Sequence, residues 1–156
     1  MRIGIVGHAA DKFTTQGKAN ARAAILEIIL DYKLICLVNN TELVVVSGHC
    51  PIGGVDIWAE QLARECGIET DIKAPKEHSW SGKYGYKARN LDIARDSDKI
   101  YVLLADSFPP DFKGKKFTYC YHCKTDNHIK SGGCWTAHQA IRLGRVAEWV
   151  IIKNDG

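Results

Sequence analysis

Apolar residues along this chain form two kinds of pattern, which alternate from one end to the other. Short continuous apolar runs predict buried strands, and apolar residues spaced by three and four positions predict amphipathic helices. The runs predict five strands, at residues 2–6, 43–46, 69–74, 99–105 and 148–153. The spaced patterns predict a helix after Thr14-Thr15 and further helices at residues 55–66, 86–96 and 135–143.

Strands that alternate with helices in this way predict a parallel sheet with helices on both faces. We therefore predict an α/β fold, a Rossmann-like three-layer sandwich whose five-stranded parallel sheet has the order 3-2-1-4-5. Residues 1–156 are expected to form a single domain, because no linker or repeat interrupts the pattern. In such a sheet, ligands bind beyond the carboxyl ends of the strands, where the strand order reverses.

The segment of residues 106–130 departs from this alternation, because it has little periodicity of any kind. A loop of this length needs a source of order other than a hydrophobic core. Four residues with the spacing C-x2-C-x4-H-x5-C provide one, since thiolates and imidazole are the ligands of tetrahedral zinc. We predict an insertion at about 106–134 that is held by a structural zinc. Its ligands are Cys120, Cys123, His128 and Cys134.

Other interpretations of this segment stay open. His122 lies inside the C-x2-C turn and competes with His128 as the fourth ligand. The four residues can also occur together without a metal. A redox C-x-x-C pair is less favoured, because no helix is predicted after Cys123. If Cys134 binds the metal, it does so from the glycine turn of residues 131–133, and the metal then fixes the shape of that turn.

Three glycine-bearing turns are expected to meet at one rim of the predicted sheet. Glycine lets a backbone approach a phosphate closely, and the N-terminus of a helix presents N–H groups to it. For each turn, the alternative is a tight turn with no ligand. The first turn contains Gly7 and His8; the second contains Ser47, Gly48, Gly53, Gly54 and Asp56; the third contains Gly132 and Gly133, with Thr136 one turn further on.

The segments VVVSGHCPIGGVDIWAEQLA, KARNLDIARDSDKIYVLL and SGGCWTAHQAIRLG resemble the SLOG superfamily of Rossmann-like nucleotide-binding proteins. That group includes the LOG-type phosphoribohydrolases and the DNA-processing A proteins. Its pattern has a strand that ends in Ser-Gly, a Gly-[VI]-Asp that opens a helix, and a glycine pair that opens the last helix. The similarity covers roughly residues 1–105 and 131–153, so the cysteine-rich segment is an insertion.

The resemblance implies a nucleotide site. Arg89 would pair with phosphate or stack on a base, and Asn90 would contact the ligand or orient Arg89. Asp56 would bind a ribose hydroxyl or cap its own helix, and His8 would contact the ligand from the first turn. Phosphate would be held by the hydroxyl of Thr136 and by the backbone of Gly48, Gly53, Gly54, Gly132 and Gly133. The aromatic residues Trp80, Tyr84 and Tyr86 would stack on a base or form a subunit contact.

The chain also departs from the superfamily. Gln139 stands where the phosphoribohydrolases have a glutamate implicated in cleaving the N-glycosidic bond, and Trp135 replaces a glycine. Glutamine cannot act as a general base. The sequence therefore favours a protein that binds a nucleotide or nucleotide derivative over an enzyme. The alternative is an N-glycosidic bond hydrolase acting on nucleoside monophosphates, in which Asp56 or Glu60 replaces the missing carboxylate.

Composition limits the partners. The knuckle-like spacing, with Lys113, Lys115, Lys116, Tyr119 and Tyr121 nearby, keeps a nucleic-acid partner open. The low net charge of +3 makes it the less favoured alternative. No apolar stretch is long enough to span a membrane. Cysteines at metal spacing and an N-terminus that leads directly into a strand suggest a cytoplasmic protein. The SLOG resemblance implies a homo-oligomer.

Overall fold

The computed structural model describes residues 1–155, which alternate between five strands and four α-helices. The strands are β1 (Arg2–Gly7), β2 (Val44–Ser47), β3 (Glu69–Ile72), β4 (Lys99–Ala105) and β5 (Val146–Ile152). The helices are α1 (Thr15–Val38), α2 (Val55–Glu65), α3 (Tyr86–Asp96) and α4 (Gly132–Arg142). All strand pairs are parallel, in the order β3-β2-β1-β4-β5. The predicted Rossmann-like sandwich and its strand order are confirmed.

The sheet separates two apolar layers, and alternate residues of β4 contribute to each. Tyr101, Leu103 and Ala105 join the core that contains Ile25 of α1 and Trp58 of α2. Ile100, Val102 and Leu104 join the core on the opposite face, which includes side chains of α3 and α4. Because both faces of the central strands β1, β2 and β4 are covered, these strands are mostly apolar runs, and this is why runs rather than alternation predicted them.

Helix α4 begins at Gly132, three residues before the predicted start at Trp135. The cause is Ser131, whose Oγ accepts a hydrogen bond of 3.0 Å from the N–H of Gly133 and so caps the helix. The glycine pair and Cys134 therefore lie in the first turn of α4 rather than before it. The other strand and helix ends that the sequence predicted lie within two residues of those observed.

The connection from β4 to α4 is long. Within residues 1–155, it contains one isolated antiparallel β-bridge, between Cys120 and Thr125. Ile129 anchors it, since this side chain is buried with the core of α1 and α2. Cys120 is buried in the opposite core, next to Cys134 of α4. The connection thus reaches both sides of the sheet. Within residues 1–155, none of the helices has the length and apolar character needed to cross a membrane.

Candidate functional site

The structure brings the four predicted metal ligands together. The ligand atoms of Cys120, Cys123, His128 and Cys134 all lie within 4.8 Å of one another. Cys120, His128 and Cys134 are buried, and Cys123 is partly exposed. Three sulfurs and one imidazole at this separation can bind a metal ion. The cluster joins the connection after β4 to the first turn of α4.

The local backbone explains how the cysteines meet. Cys120 and Thr125 exchange two backbone hydrogen bonds, of 2.8 and 3.3 Å. Lys124 adopts a positive φ of 56°, which closes the turn between them. His128 donates from Nδ1 to the carbonyl of Ile129 at 2.9 Å, which leaves Nε2 for a metal, as is usual for histidine ligands. His122, the competing ligand, lies outside the cluster, with its ring 4.3 Å from that of Tyr121.

Without a bound cation, the surroundings of the cluster favour neutral thiols over thiolates. Burial raises the pKa of the Cys134 thiol, and the nearby Cys120 and Cys123 raise it further. Burial likewise raises the pKa of the Cys123 thiol. Three neutral thiols packed together satisfy one another poorly, whereas a bound cation displaces their protons. Trp149 Nε1 is buried without a hydrogen-bond partner in residues 1–155, beside the Cys123 and Cys134 sulfurs, where thiolates would accept its hydrogen.

A cavity of about 390 Å³ lies at the carboxyl ends of the strands, next to the first turn of α4. Eight of the twelve predicted ligand residues line it: Gly7, His8, Asp56, Arg89, Asn90, Gly132, Gly133 and Thr136. The remaining four, Ser47, Gly48, Gly53 and Gly54, lie outside its lining. The position of the cavity is the one that a doubly wound sheet predicts.

The first turn of α4 presents an open face to the cavity. A Cβ on Gly132 would come no closer than 3.9 Å to the Nδ2 of Asn90, so there is space in front of this residue. Among the described residues, the N–H of Gly132 has no acceptor, whereas those of Gly133 and Cys134 bond to Ser131. A free N–H at the positive end of a helix dipole suits an anion. The Thr136 hydroxyl donates to the carbonyl of Gly132 at 3.3 Å.

Arg89 and Asp56 form the opposite wall. Arg89 donates from Nε to Asn90 Oδ1 at 2.7 Å and from its guanidinium to the carbonyl of Gly48, and it lies over the Tyr86 ring at 5.3 Å. A Cβ on Gly48 would lie 2.7 Å from Arg89 and 2.8 Å from the Asp56 carboxylate. Gly48 is therefore a spacer that lets these two groups approach each other.

Asp56 supplies the carboxyl group of the cavity lining. Its Oδ2 accepts a hydrogen bond of 3.2 Å from the N–H of Cys50, so the side chain closes the turn before α2 rather than capping that helix. Burial raises the pKa of Asp56 to about 6, although the charge of Arg89 acts in the opposite direction. Slightly below neutral pH, both the protonated and the ionised forms of Asp56 are therefore populated.

His8 has both ring nitrogens engaged by the protein. Nδ1 accepts from the N–H of Ala105 at 2.9 Å, so Nε2 carries the hydrogen and donates to the carbonyl of Lys130 at 2.9 Å. Burial lowers the pKa of His8 to about 4, which keeps the ring neutral. The imidazole thus ties β1 to β4 and to the residue that precedes the cap of α4.

The second glycine turn packs against protein instead of opening to the cavity. Gly54 has a φ of 96°, and a Cβ there would lie 2.5 Å from both Ala10 N and His8 O. The N–H of Val55, the first residue of α2, donates to the carbonyl of His8 at 3.2 Å. Below this turn, Ser47 Oγ donates to Glu60 Oε1 at 2.9 Å. Glu60 is buried outside the cavity lining, where His49 Nδ1 also bonds to it.

Sequence reasoning missed several residues of the lining. Lys12 lies in a short 3₁₀ turn after β1, and Lys130 directly precedes the cap of α4. Both lysines lie close in sequence to the predicted glycine turns, and this could have indicated that they belong to the site. Trp80 and Tyr86 also line the cavity, whereas Tyr84 lies outside it, next to Lys76. Trp80 packs edge-on against Trp135, with ring centroids 5.3 Å apart.

Comparison with known proteins gives a likeness in structure only. No family model matches the chain, and no curated protein matches it. Among solved structures, the chain is similar to the molybdenum cofactor carrier protein MCP from Chlamydomonas reinhardtii, with a TM-score of 0.54 and 14% identical residues. The match covers 95% of this chain and 74% of that chain. At this identity the similarity shows a shared Rossmann-like fold.

Proposed function

We propose that this protein binds a nucleotide or nucleotide derivative in the cavity beside α4, and that a structural zinc shapes the phosphate-binding turn. The observation that carries the proposal is that residues 131–134 belong both to the cavity lining and to the metal-binding cluster. Ser131, Gly132 and Gly133 line the cavity, and Cys134, in the same helical turn, belongs to the metal-binding cluster. A metal held by Cys134 would fix the direction of the free Gly132 N–H.

Each part of a nucleotide has a matching group on the wall. Phosphate suits the N–H of Gly132, and the positive charge of Lys130, a residue of the lining, favours an anion nearby. A ribose hydroxyl suits the Asp56 carboxylate, and a base suits the exposed ring of Trp80. The SLOG-like segments support the same assignment. The similar solved structure is named as a molybdenum cofactor carrier protein, and we take this as support for a bound cofactor or nucleotide derivative here.

Zinc is the proposed metal, because Cys3His is a closed set of four ligands for a tetrahedral ion. A closed set leaves no position for a reacting water, so the proposed role of the metal is structural. The SLOG resemblance also supports a homo-oligomer, and cysteines at metal spacing support a cytoplasmic location. Exposed leucines on α1, such as Leu34 and Leu37, are 62% and 76% exposed and are available for a subunit contact.

Calorimetric titration of the zinc-loaded protein with a panel of nucleoside monophosphates tests the binding proposal. We expect saturable binding of at least one of them, with affinity reduced about tenfold or more in Arg89→Met. Arg22→Met is the matched control, because Arg22 lies on α1 and bonds to Gln61, away from the cavity. Absence of heat with every nucleotide, or equal losses in both variants, contradicts the proposal.

A second candidate is hydrolysis of the N-glycosidic bond of a nucleoside monophosphate, and the specific observation behind it is Asp56. Of the two carboxylates proposed to replace the missing glutamate, Asp56 lines the cavity with a pKa raised to about 6, and Glu60 does not line it. A carboxyl group with such a pKa suits proton transfer near neutral pH. Chromatographic detection of free base, abolished in Asp56→Asn but not in Glu60→Gln, would establish this activity. Intact nucleotide after prolonged incubation supports binding alone.

A further inference from the structure

The positive charge of the chain is concentrated in residues 111–130, the central part of the predicted insertion of residues 106–134. Residues 111–130 contain five lysines and two aspartates, a net charge of +3, which equals that of the whole chain. The remaining residues carry 16 basic and 16 acidic side chains and are neutral. The low overall charge, which argued against a nucleic-acid partner, is thus an average over a neutral sandwich and a basic insertion. Charge asymmetry of this kind suggests a polyanionic partner.

The same segment exposes aromatic rings among its lysines. Phe117, Tyr119 and Tyr121 are 48%, 52% and 57% exposed. Lys130 lies 5.0 Å from the ring centroid of Phe117 and 4.7 Å from that of Tyr121, and Lys115 lies 5.0 Å from that of Phe117. Two exposed rings therefore flank one ammonium group.

Rings and ammonium groups placed side by side fit the alternation of bases and phosphates in an unpaired strand. Unpaired bases stack on exposed aromatic rings, whereas bases in a duplex are already stacked on one another. Lysines between the rings pair with the backbone phosphates. An acidic protein surface satisfies the lysines but offers no planar group for the rings. We propose that the insertion of residues 111–130 binds single-stranded nucleic acid, on a surface separate from the nucleotide cavity apart from Lys130.

Fluorescence anisotropy with labelled oligouridylate and oligothymidylate, each about 12 nucleotides long, tests this proposal on the zinc-loaded full chain. We expect salt-dependent binding that weakens at least about fivefold for each ring removed in Phe117→Ala and Tyr121→Ala. Phe117→Tyr and Tyr121→Phe keep the rings and should retain it. In Lys115→Ser/Lys116→Ser, the magnitude of the slope of log K against log salt should fall by about 1.4 if both lysines contact phosphate.

Tyr84→Ala is the matched control, because Tyr84 is 44% exposed and is flanked by Lys76 and Lys83 in the same way, but lies outside the insertion. It should bind the oligonucleotides as the unmodified chain does. Zinc content and thermal midpoint, measured in parallel, show that each variant is folded. The proposal is overturned by absence of binding at low salt, by equal losses in Tyr84→Ala and the ring variants, or by equal competition from polyglutamate. The last result would assign the surface to an acidic protein.

Discussion

Helices α2 and α4 both begin at a glycine pair, yet the two N-termini are used in different ways. At α2, Gly53 and Gly54 bring the backbone against the turn after β1, and His8 O takes the first N–H of the helix. At α4, Ser131 caps the helix and Gly132 faces the cavity with its N–H free among the described residues. A glycine pair thus allows another group to come close to the backbone. Whether that group is protein, as at α2, or a ligand, as proposed at α4, depends on the neighbouring segment.

His8 connects the two regions. Its carbonyl accepts the N–H of Val55 at the start of α2, and its Nε2 donates to the carbonyl of Lys130 just before α4. The closed N-terminus therefore holds the open one in place. Substitutions in these two regions should have different consequences. Those at the start of α2 should lower the stability of the fold, and those at the start of α4 should weaken ligand binding.

Exchanging glycine for alanine at each helix should give the largest difference. Gly54→Ala puts a Cβ 2.5 Å from two backbone atoms at a positive φ, and we expect a loss of about 4 kcal/mol in unfolding free energy. Gly132→Ala meets nothing closer than 3.9 Å and should change stability by less than about 1 kcal/mol. Urea denaturation measures both. Similar losses in the two variants would contradict the distinction between a closed and an open helix end.

The buried neutral His8 should make stability depend on pH. Its pKa is about 4 in the folded chain against 6.5 for the free side chain, so the unfolded chain binds the extra proton between these values. The stabilisation is present above pH 6.5 and is lost as the pH falls towards 4, by about 3 kcal/mol. Denaturation at pH 7 and pH 4.5 should show a smaller pH effect in His8→Gln than in the unmodified chain. Because both proteins keep the metal ligands, their comparison cancels the metal contribution, and equal pH effects would contradict this role of His8.

Removing Cys134, the metal-binding residue in the first turn of α4, should weaken nucleotide binding even though Cys134 does not line the cavity. Cys134→Ser breaks the proposed link between zinc and the turn, and we expect about tenfold weaker nucleotide binding together with loss of zinc. Cys66→Ser is the control, since Cys66 lies at the end of α2, outside the cluster. Amide hydrogen exchange should accelerate at residues 131–134 in Cys134→Ser alone. Unchanged binding in that variant would separate the metal from the ligand site.

The smallest expected effect concerns the lysine beside the open helix end. Lys130→Met removes the positive charge of a residue that lines the cavity and keeps the length of the side chain. We expect three- to tenfold weaker binding of a nucleoside monophosphate, about 1 kcal/mol, and weaker dependence of that binding on salt. Calorimetric titration at two salt concentrations measures both effects. Equal affinity at low salt would show that the phosphate lies elsewhere in the cavity.

The fold was predictable because local patterns agree with the topology. Helix α3 and strand β4 have the predicted bounds, since each apolar pattern ends at a polar or small residue that the sequence displays. The start of α4 was misplaced, because Gly132 and Gly133 weigh against a helix while the cap by Ser131 favours one. The metal cluster follows from spacing within one segment, and the structure groups the same four residues.

The cavity wall was predicted less completely. Lys12 follows β1 and Lys130 precedes α4, and only the packing of these distant segments brings both residues to one cavity. Gly48 was expected at phosphate, whereas the structure places it between Arg89 and Asp56. A glycine in the sequence indicates that some atom comes close to the backbone there. Which atom it is depends on the tertiary structure.

Native mass spectrometry of the protein purified without chelator tests the central claim most directly. We predict a mass excess of one zinc per chain and, at low activation energy, a further small phosphate-bearing molecule. Cys134→Ser should lose both, whereas Cys66→Ser should keep both. A folded chain that carries neither zinc nor added nucleotide would contradict the account of a metal-shaped nucleotide site.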